Sequence, residues 1–300
     1  MKTVEAGERI ALKSVLFATD FSSHSDLAMP YAAAIARHYG AKLYGAHVVS
    51  SEDYLFTAPD LWPAHMEQEK QLQNEVVQRI DQSLGTIPHE ALFGVGDVWS
   101  VISRFLEEHS IDLLVVGTHG RTGTRKLLVG SIAEKLFRQA PCPVLSVGPN
   151  VASKSERQIE FRRILFATNF GQQSLAALPY ALSFAEEDQS ELVLLHVVTQ
   201  PPAGISNVEE VKASLKQRLE ALVPPEAESW CRPISAVEFG HQFARPAERI
   251  VDVARERAVD LIVLGVRPTS SAISTVTHLT HTTAQHVLAH APCPVLTVRG

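Results

Sequence analysis

The chain contains itself twice, and that repetition limits its architecture more than any other feature. Lys13–Val49 laid on Arg162–Val198 at an offset of 149 residues gives 15 identities in 37 positions, where average composition gives about two. The shared pieces are LFAT followed by Asp20 or Asn169 and then Phe, PYA from Pro30 and Pro179, and HVV from His47 and His196. DLLVVG from Asp112 returns as DLIVLG from Asp260, and APCPVL from Ala140 returns at Ala291, offsets of 148 and 151. One duplicated domain therefore fills the 300 residues, each copy close to the common size of a single domain. The polar stretch Gly148–Gln158 has no apolar period and reads as the connection. The expected division is residues 1–149, a linker at 150–158, and residues 159–300.

Within a copy, short β-branched runs alternate with apolar residues spaced by three and four, the pattern of βαβ units on a parallel sheet. Strands are expected at Ser14–Ala18, Lys42–Val49, His89–Phe93, Ile111–Val116 and Val144–Val147, and helices at Ser25–His38, His65–Leu84, Val98–His109 and Val129–Gln139. The fold class is α/β: two tandem doubly wound domains, each an open five-stranded parallel sheet flanked by helices. Such sheets bind ligands beyond the carboxyl ends of the strands, where the strand order switches. The last strands, Val144–Val147 and Val295–Val298, are expected as edges in need of covering.

Composition removes several classes. The formal net charge is −6, and no run of five or more Lys or Arg occurs, so a nucleic-acid-coating role is not expected. No apolar run reaches the roughly eighteen residues that cross a bilayer, and Glu5, Glu8 and Arg9 interrupt any signal-peptide core. Three widely spaced cysteines, Cys142, Cys231 and Cys293, fit a reducing compartment, and the cytoplasm is the expected location.

Two loops at carboxyl ends carry the candidate chemistry. The first strand runs into Thr19–Asp20–Phe21–Ser22, and the fourth into Gly117–Thr118–His119–Gly120–Arg121, which leads to Gly130–Ser131 at a helix start. Glycines let backbone N–H groups approach an anion, and a helix N-terminus adds donors and a favourable dipole. Arg121, Arg125 and Lys126 supply positive charge, and Asp20 opposite them can accept hydrogen bonds from a ribose or base. Together these describe a nucleotide site. Taken singly, Gly117 and Gly120 fit a tight turn, and Asp20 or Ser131 fits a helix cap. A Walker A loop is excluded because no Gly-Lys-Ser/Thr follows, and the dinucleotide G-x-G-x-x-G spacing is absent.

Gly117-x2-Gly120-x9-Gly130-Ser131 and the flanking text from Gly117 to Val147, with KSVLFATDFS from Lys13 to Ser22, resemble the universal stress protein family, whose nucleotide-binding members carry G-x2-G-x9-G-[S/T]. The resemblance covers both copies. It implies a five-stranded sheet that binds ATP or ADP, a divalent metal such as Mg2+ between the phosphates, and dimerisation through the last strand, which the halves of a tandem member can mimic. It implies that Ala18, Thr19 and Asp20 line the adenosine, with Asp20 toward the ribose, and that Val48 meets the adenine by its backbone. Gly117 would lie under the ribose, and His119, Gly120, Gly130, Ser131 and Ile132 would hold the phosphates. Thr118 belongs to the same loop, and Arg121 is added on charge alone. The function so implied is a nucleotide-dependent stress regulator with at most slow hydrolysis, since no general base stands out beyond His119. A homodimer and an unidentified protein partner are expected. The rival readings are a slow nucleotide hydrolase using His119 and Arg121, and a dimeric scaffold that binds no nucleotide.

The second copy departs from the motif. Asn169 replaces Asp20, Pro268 replaces Gly120, and His281 and Thr282 fall on Gly130 and Ser131. Proline has no N–H to donate, and the histidine brings a side chain to the phosphate position, so this copy is expected not to bind ATP in the family manner. His278, His281, His286 and His290 share a segment, but His281 and His286 lie about 140° apart on a helix, which argues against one metal site. His47 and His196 end matching strands and read as packed structural residues. Cys142 and Cys293, each between prolines, read as packing positions.

Overall fold

A computed structural model of the chain describes residues 10–50, 62–118, 129–199, 208–239, 245–267 and 282–300. The first half runs β1 (Ser14–Ala18), α1 (Ser23–Asp26), α2 (Met29–Tyr39), β2 (Lys42–Val49), α3 (Trp62–Leu84), β3 (His89–Val95), α4 (Val98–Glu108), β4 (Leu113–Gly117), α5 (Ser131–Gln139) and β5 (Val144–Val147). The second repeats it with β6 (Arg163–Ala167), α6 (Gln172–Leu175), α7 (Leu178–Glu187), β7 (Glu191–Val198), α8 (Val208–Glu220), β8 (Arg232–Phe239), α9 (Pro246–Glu256), β9 (Leu261–Val266), α10 (Thr283–His290) and β10 (Val295–Arg299).

The single helix expected over Ser25–His38 is two. Pro30 stands at the start of α2, where it lacks an N–H for the Asp26 carbonyl and its ring crowds that oxygen, so the helix breaks and restarts. Pro179 does the same between α6 and α7. The fourth strand starts at Leu113 rather than Ile111 because Ser110 is left-handed, φ 48°. Asp112 there uses its carboxylate to bind the N–H groups of Lys13 and Ser14.

All ten strands join one sheet in the order β3-β2-β1-β4-β5-β10-β9-β6-β7-β8. Every neighbouring pair is parallel except β5 with β10, which run antiparallel with Leu145 opposite Leu296. The two edges that needed covering cover each other. Side chains alternate across the sheet: Val15 and Phe17 enter one core with residues of α2, α3, α7 and α8, while Leu16 enters the other with residues of α4, α5, α9 and α10. Burial on both faces explains why β4 (LLVVG) and β9 (LIVLGV) carry no polar side chain.

A pseudo-two-fold relation ties the halves. Leu145 and Leu296 are repeat equivalents that face each other. So are His38 and Glu187, joined Nε2 to Oε2 at 3.1 Å, and Glu134 and Gln285, whose side chains hydrogen-bond. Phe161 packs 6.4 Å from Tyr31 and 5.5 Å from Phe184, centroid to centroid. The stretch expected as a bare linker is itself packed. Val151 is buried, and Glu156, in a single 3-10 turn, pairs with Arg37 at 2.8 Å.

Candidate functional site

In the first half the strand order reverses between β1 and β4, so a crevice opens where their connections part. Its first wall is the turn after β1. Thr19 is fastened through every polar group: its N–H donates to Ala46 O at 2.9 Å, its carbonyl lies 2.7 Å from His47 Nδ1, and its hydroxyl accepts from Phe21 N–H and meets Ser25 Oγ, both at 2.9 Å. Asp20, half-buried, accepts from Ser22 N–H through Oδ1 at 3.0 Å. Ser22 then caps α1 by accepting from Ser25 N–H. Ala18 and Val48 are half-buried nearby. The β1–β2 register ends at Ala18 opposite Ala46, so Val48 has no β1 residue beside it.

The second wall comes from β4 and α5. A Cβ on Gly117 would stand 2.9 Å from His24 O and 3.0 Å from Ser25 Cα, so α1 rests directly on the end of the strand. Thr118 is buried; its N–H donates to Val147 O at 3.0 Å and its carbonyl accepts from Gly130 N–H at 2.8 Å. The chain that leaves Thr118 therefore returns to it as α5 begins. His119, Gly120 and Arg121 lie outside the described residues. Gly130 is the N-cap and has no side chain to cap with, while its carbonyl takes Glu134 N–H at 2.9 Å. The N–H groups of Ser131, Ile132 and Ala133 thus have no acceptor within the helix, and Ser131 and Ile132 are exposed. This is the positive end of a helix dipole.

The second half repeats the first wall and differs at the helix start. Thr168 repeats the bonds of Thr19, with N–H to Leu195 O, carbonyl to His196 Nδ1 and hydroxyl to Phe170 N–H and Ser174 Oγ. Ala167 and Thr168 are buried where Ala18 and Thr19 are only half-buried. Asn169 Oδ1 accepts from Gly171 N–H and Ser174 Oγ, each at 2.9 Å. At the helix start, Thr282 accepts from Gln285 N–H while Gln285 Oε1 accepts from Thr282 N–H. Of the three first-turn donors left open on α5, the third has its counterpart on α10, Gln285 N–H, met by this capping box. Pro268, His278 and His281 lie outside the described residues.

Sequence reasoning overlooked one feature of both crevices. Phe21 and Phe170 are left-handed, φ 58° and 61°, and each is packed between a histidine of the neighbouring strand and an arginine of the following helix. The phenylalanines and histidines stand in the repeat, but Arg79 and Arg218 fall outside its 149-residue offset, which hid them.

Among the described residues no cluster of three or more His, Cys, Asp or Glu is placed to hold a metal. His290 stacks on His286 at 4.2 Å and turns Nδ1 to the His286 carbonyl at 2.8 Å. Cys142, Cys231 and Cys293 are free and buried. Burial pushes the Cys142 thiol up to about 12 and Cys231 up to about 11. Among the described residues no helix is long and apolar enough to cross a membrane.

Two doubly wound units side by side, each with a crevice at its switch point, define the class. The universal stress protein family matches residues 11–148 and again 160–299, so the chain belongs to that family as two such domains in tandem. A universal stress protein of Methanocaldococcus jannaschii is 32% identical over 149 residues, 48% of this chain and 86% of that protein. In fold, the chain is similar to a universal stress protein of Archaeoglobus fulgidus, with TM-score 0.69, 19% identity, and 95% and 98% of the two chains covered. A Pseudomonas aeruginosa protein described as a universal stress protein gives TM-score 0.58 at 17% identity, covering 96% of this chain and 94% of its own.

Proposed function

We propose that the first domain binds ATP or ADP and that the second is a closed, structural copy, so that one nucleotide sets the state of the whole chain. The observation that carries this reading is the open N-terminus of α5 beside the Asp20 turn, against the capped N-terminus of α10. Asp20 would take the ribose, Ala18, Thr19 and the Val48 backbone the adenosine, and Gly117 would lie under the ribose. Gly130, Ser131 and Ile132, with Thr118, His119, Gly120 and Arg121, would surround the phosphates and a Mg2+ ion between them. Backbone N–H groups at a helix start suit an anion and need no countercharge. The activity read here is that of a regulator with at most slow hydrolysis, since the sequence offers no general base beyond His119. Three buried, unpaired thiols favour the cytoplasm. With β5 and β10 paired inside the chain, a homodimer or a protein partner would use β3, β8 or a helical face.

Thermal unfolding tests the reading. A ligand that binds only the folded state must stabilise it, by about 2.7 kcal/mol at a hundred times its dissociation constant. Millimolar Mg-ATP is expected to raise the Tm of the native chain and not that of Asp20→Ala. An unmoved Tm for the native chain at saturating ATP defeats the proposal.

A further inference from the structure

Among the described residues of the first crevice, Phe21 is the one non-glycine residue with a left-handed backbone. Its φ of 58° lies in the left-handed region, which a bulky side chain enters only when its surroundings hold it there. Two groups hold this ring. The His47 ring lies 4.5 Å from it, centroid to centroid, while His47 Nδ1 grips the Thr19 carbonyl at 2.7 Å. The Arg79 guanidinium, reaching over from α3, stands 4.3 Å from the ring centroid. The second half repeats the set: Phe170 at φ 61°, His196 at 4.7 Å, and Arg218 of α8 at 4.1 Å. Helices α3 and α8 differ in length, 23 and 13 residues, and their arginines, each between a Gln and a buried aliphatic residue, stand 139 rather than 149 residues apart. Each nevertheless delivers a cation to the same ring.

We propose that Arg79 is a positioning residue for the ligand of the first crevice: it holds Phe21 in place and thereby fixes the Thr19–Asp20 turn that presents the Asp20 carboxylate. This rests on the nucleotide reading above. The linkage is short. Phe21 donates its N–H to Thr19 Oγ1, and Asp20, the residue between them, is tied to Ser22 N–H. A Phe21 released from its ring contacts can relax out of the left-handed region, and the turn then loses the bonds that orient Asp20. In the second half the same device steadies Asn169, which has no carboxylate to present, so Arg218 serves the fold alone. The duplication supplies an internal control.

The test is calorimetric titration of the full chain with Mg-ATP, well below the Tm of each variant. Arg79 is exposed on a helix, where alanine is the best helix former, so Arg79→Ala will fold. It is expected to raise the dissociation constant about three- to tenfold, as when a cation–π contact that maintains the binding-competent conformation is lost. Arg79→Lys, which keeps the cation, is expected to recover part of the affinity. Arg218→Ala is expected to lower the Tm as Arg79→Ala does and to leave the affinity unchanged. Equal affinity in Arg79→Ala and the native chain, or equal weakening by Arg218→Ala, overturns the proposal while the nucleotide site stands. No binding by the native chain overturns both.

Discussion

Gly117 ends β4 and Gly265 stands next to last in β9, and the space around the two differs. A Cβ on Gly117 would press the backbone of His24 and Ser25; one on Gly265 would overlap the Gln173 carbonyl oxygen and come within 2.5 Å of Ser174 Cα. Gly265→Ala is therefore expected to cost about 1–3 kcal/mol, the range for overpacking, and more than Gly117→Ala. Denaturant unfolding of the two variants checks this, and equal losses would contradict it. The buried thiols give a second expectation. In the unfolded chain a thiol ionises near 8.5, whereas burial holds Cys142 neutral until about 12. Its contribution is complete below the unfolded value and is lost as pH rises toward the folded one. Stability should therefore fall between about pH 8.5 and 12, and less steeply in Cys142→Ala than in the native chain, measured by the denaturant midpoint. Asp20 and Gly117 were singled out in the sequence by motif spacing. Arg79 was not, since its role depends on which turn of α3 passes over Phe21.

At the scale of elements, the two helix starts carry the contrast between the halves. Thr282 closes α10 with its own side chain, and Thr282→Ala is expected to cost about 0.5–2 kcal/mol, as for loss of an N-cap. An unchanged denaturant midpoint would show that the cap contributes nothing. Helices and strands were largely legible, since their apolar periods are long, and β1, β2 and β5 fall where the pattern put them. The break between α1 and α2 was present in the sequence as Pro30 but is masked by an apolar period that continues across it. The capping box of α10 was likewise written as Thr282 and Gln285. It could not be told from the Ser131 position until the helix start was located one residue later than its counterpart.

Across the whole molecule, the seam is asymmetric where a homodimer would be symmetric. Glu134 meets Gln285 and His38 meets Glu187, and in each case the repeat equivalents differ. A like-with-like dimer of either half would set Glu134 or Glu187 against itself. Gln285→Glu is expected to destabilise the chain by about 1–3 kcal/mol, through loss of a hydrogen bond to a charged group and a new like-charge contact. Adding Glu134→Gln should restore most of it, since the pair is then exchanged. Failure of the double variant to recover would mean that the contact does not hold the seam. The duplication and the need to cover β5 and β10 were legible, but not the register that sets Leu145 on Leu296, because the repeat offset drifts from 149 to 151 along the chain.

The central claim is that only one of two similar crevices takes a nucleotide. Native mass spectrometry of the full chain with Mg-ATP reads this directly, as bound mass per chain. One nucleotide is expected, and none in Asp20→Ala. Two per native chain would contradict the claim, because the capped α10 and the crowded Gly265 would then be no barrier to a phosphate; none at millimolar ATP would contradict it from the other side.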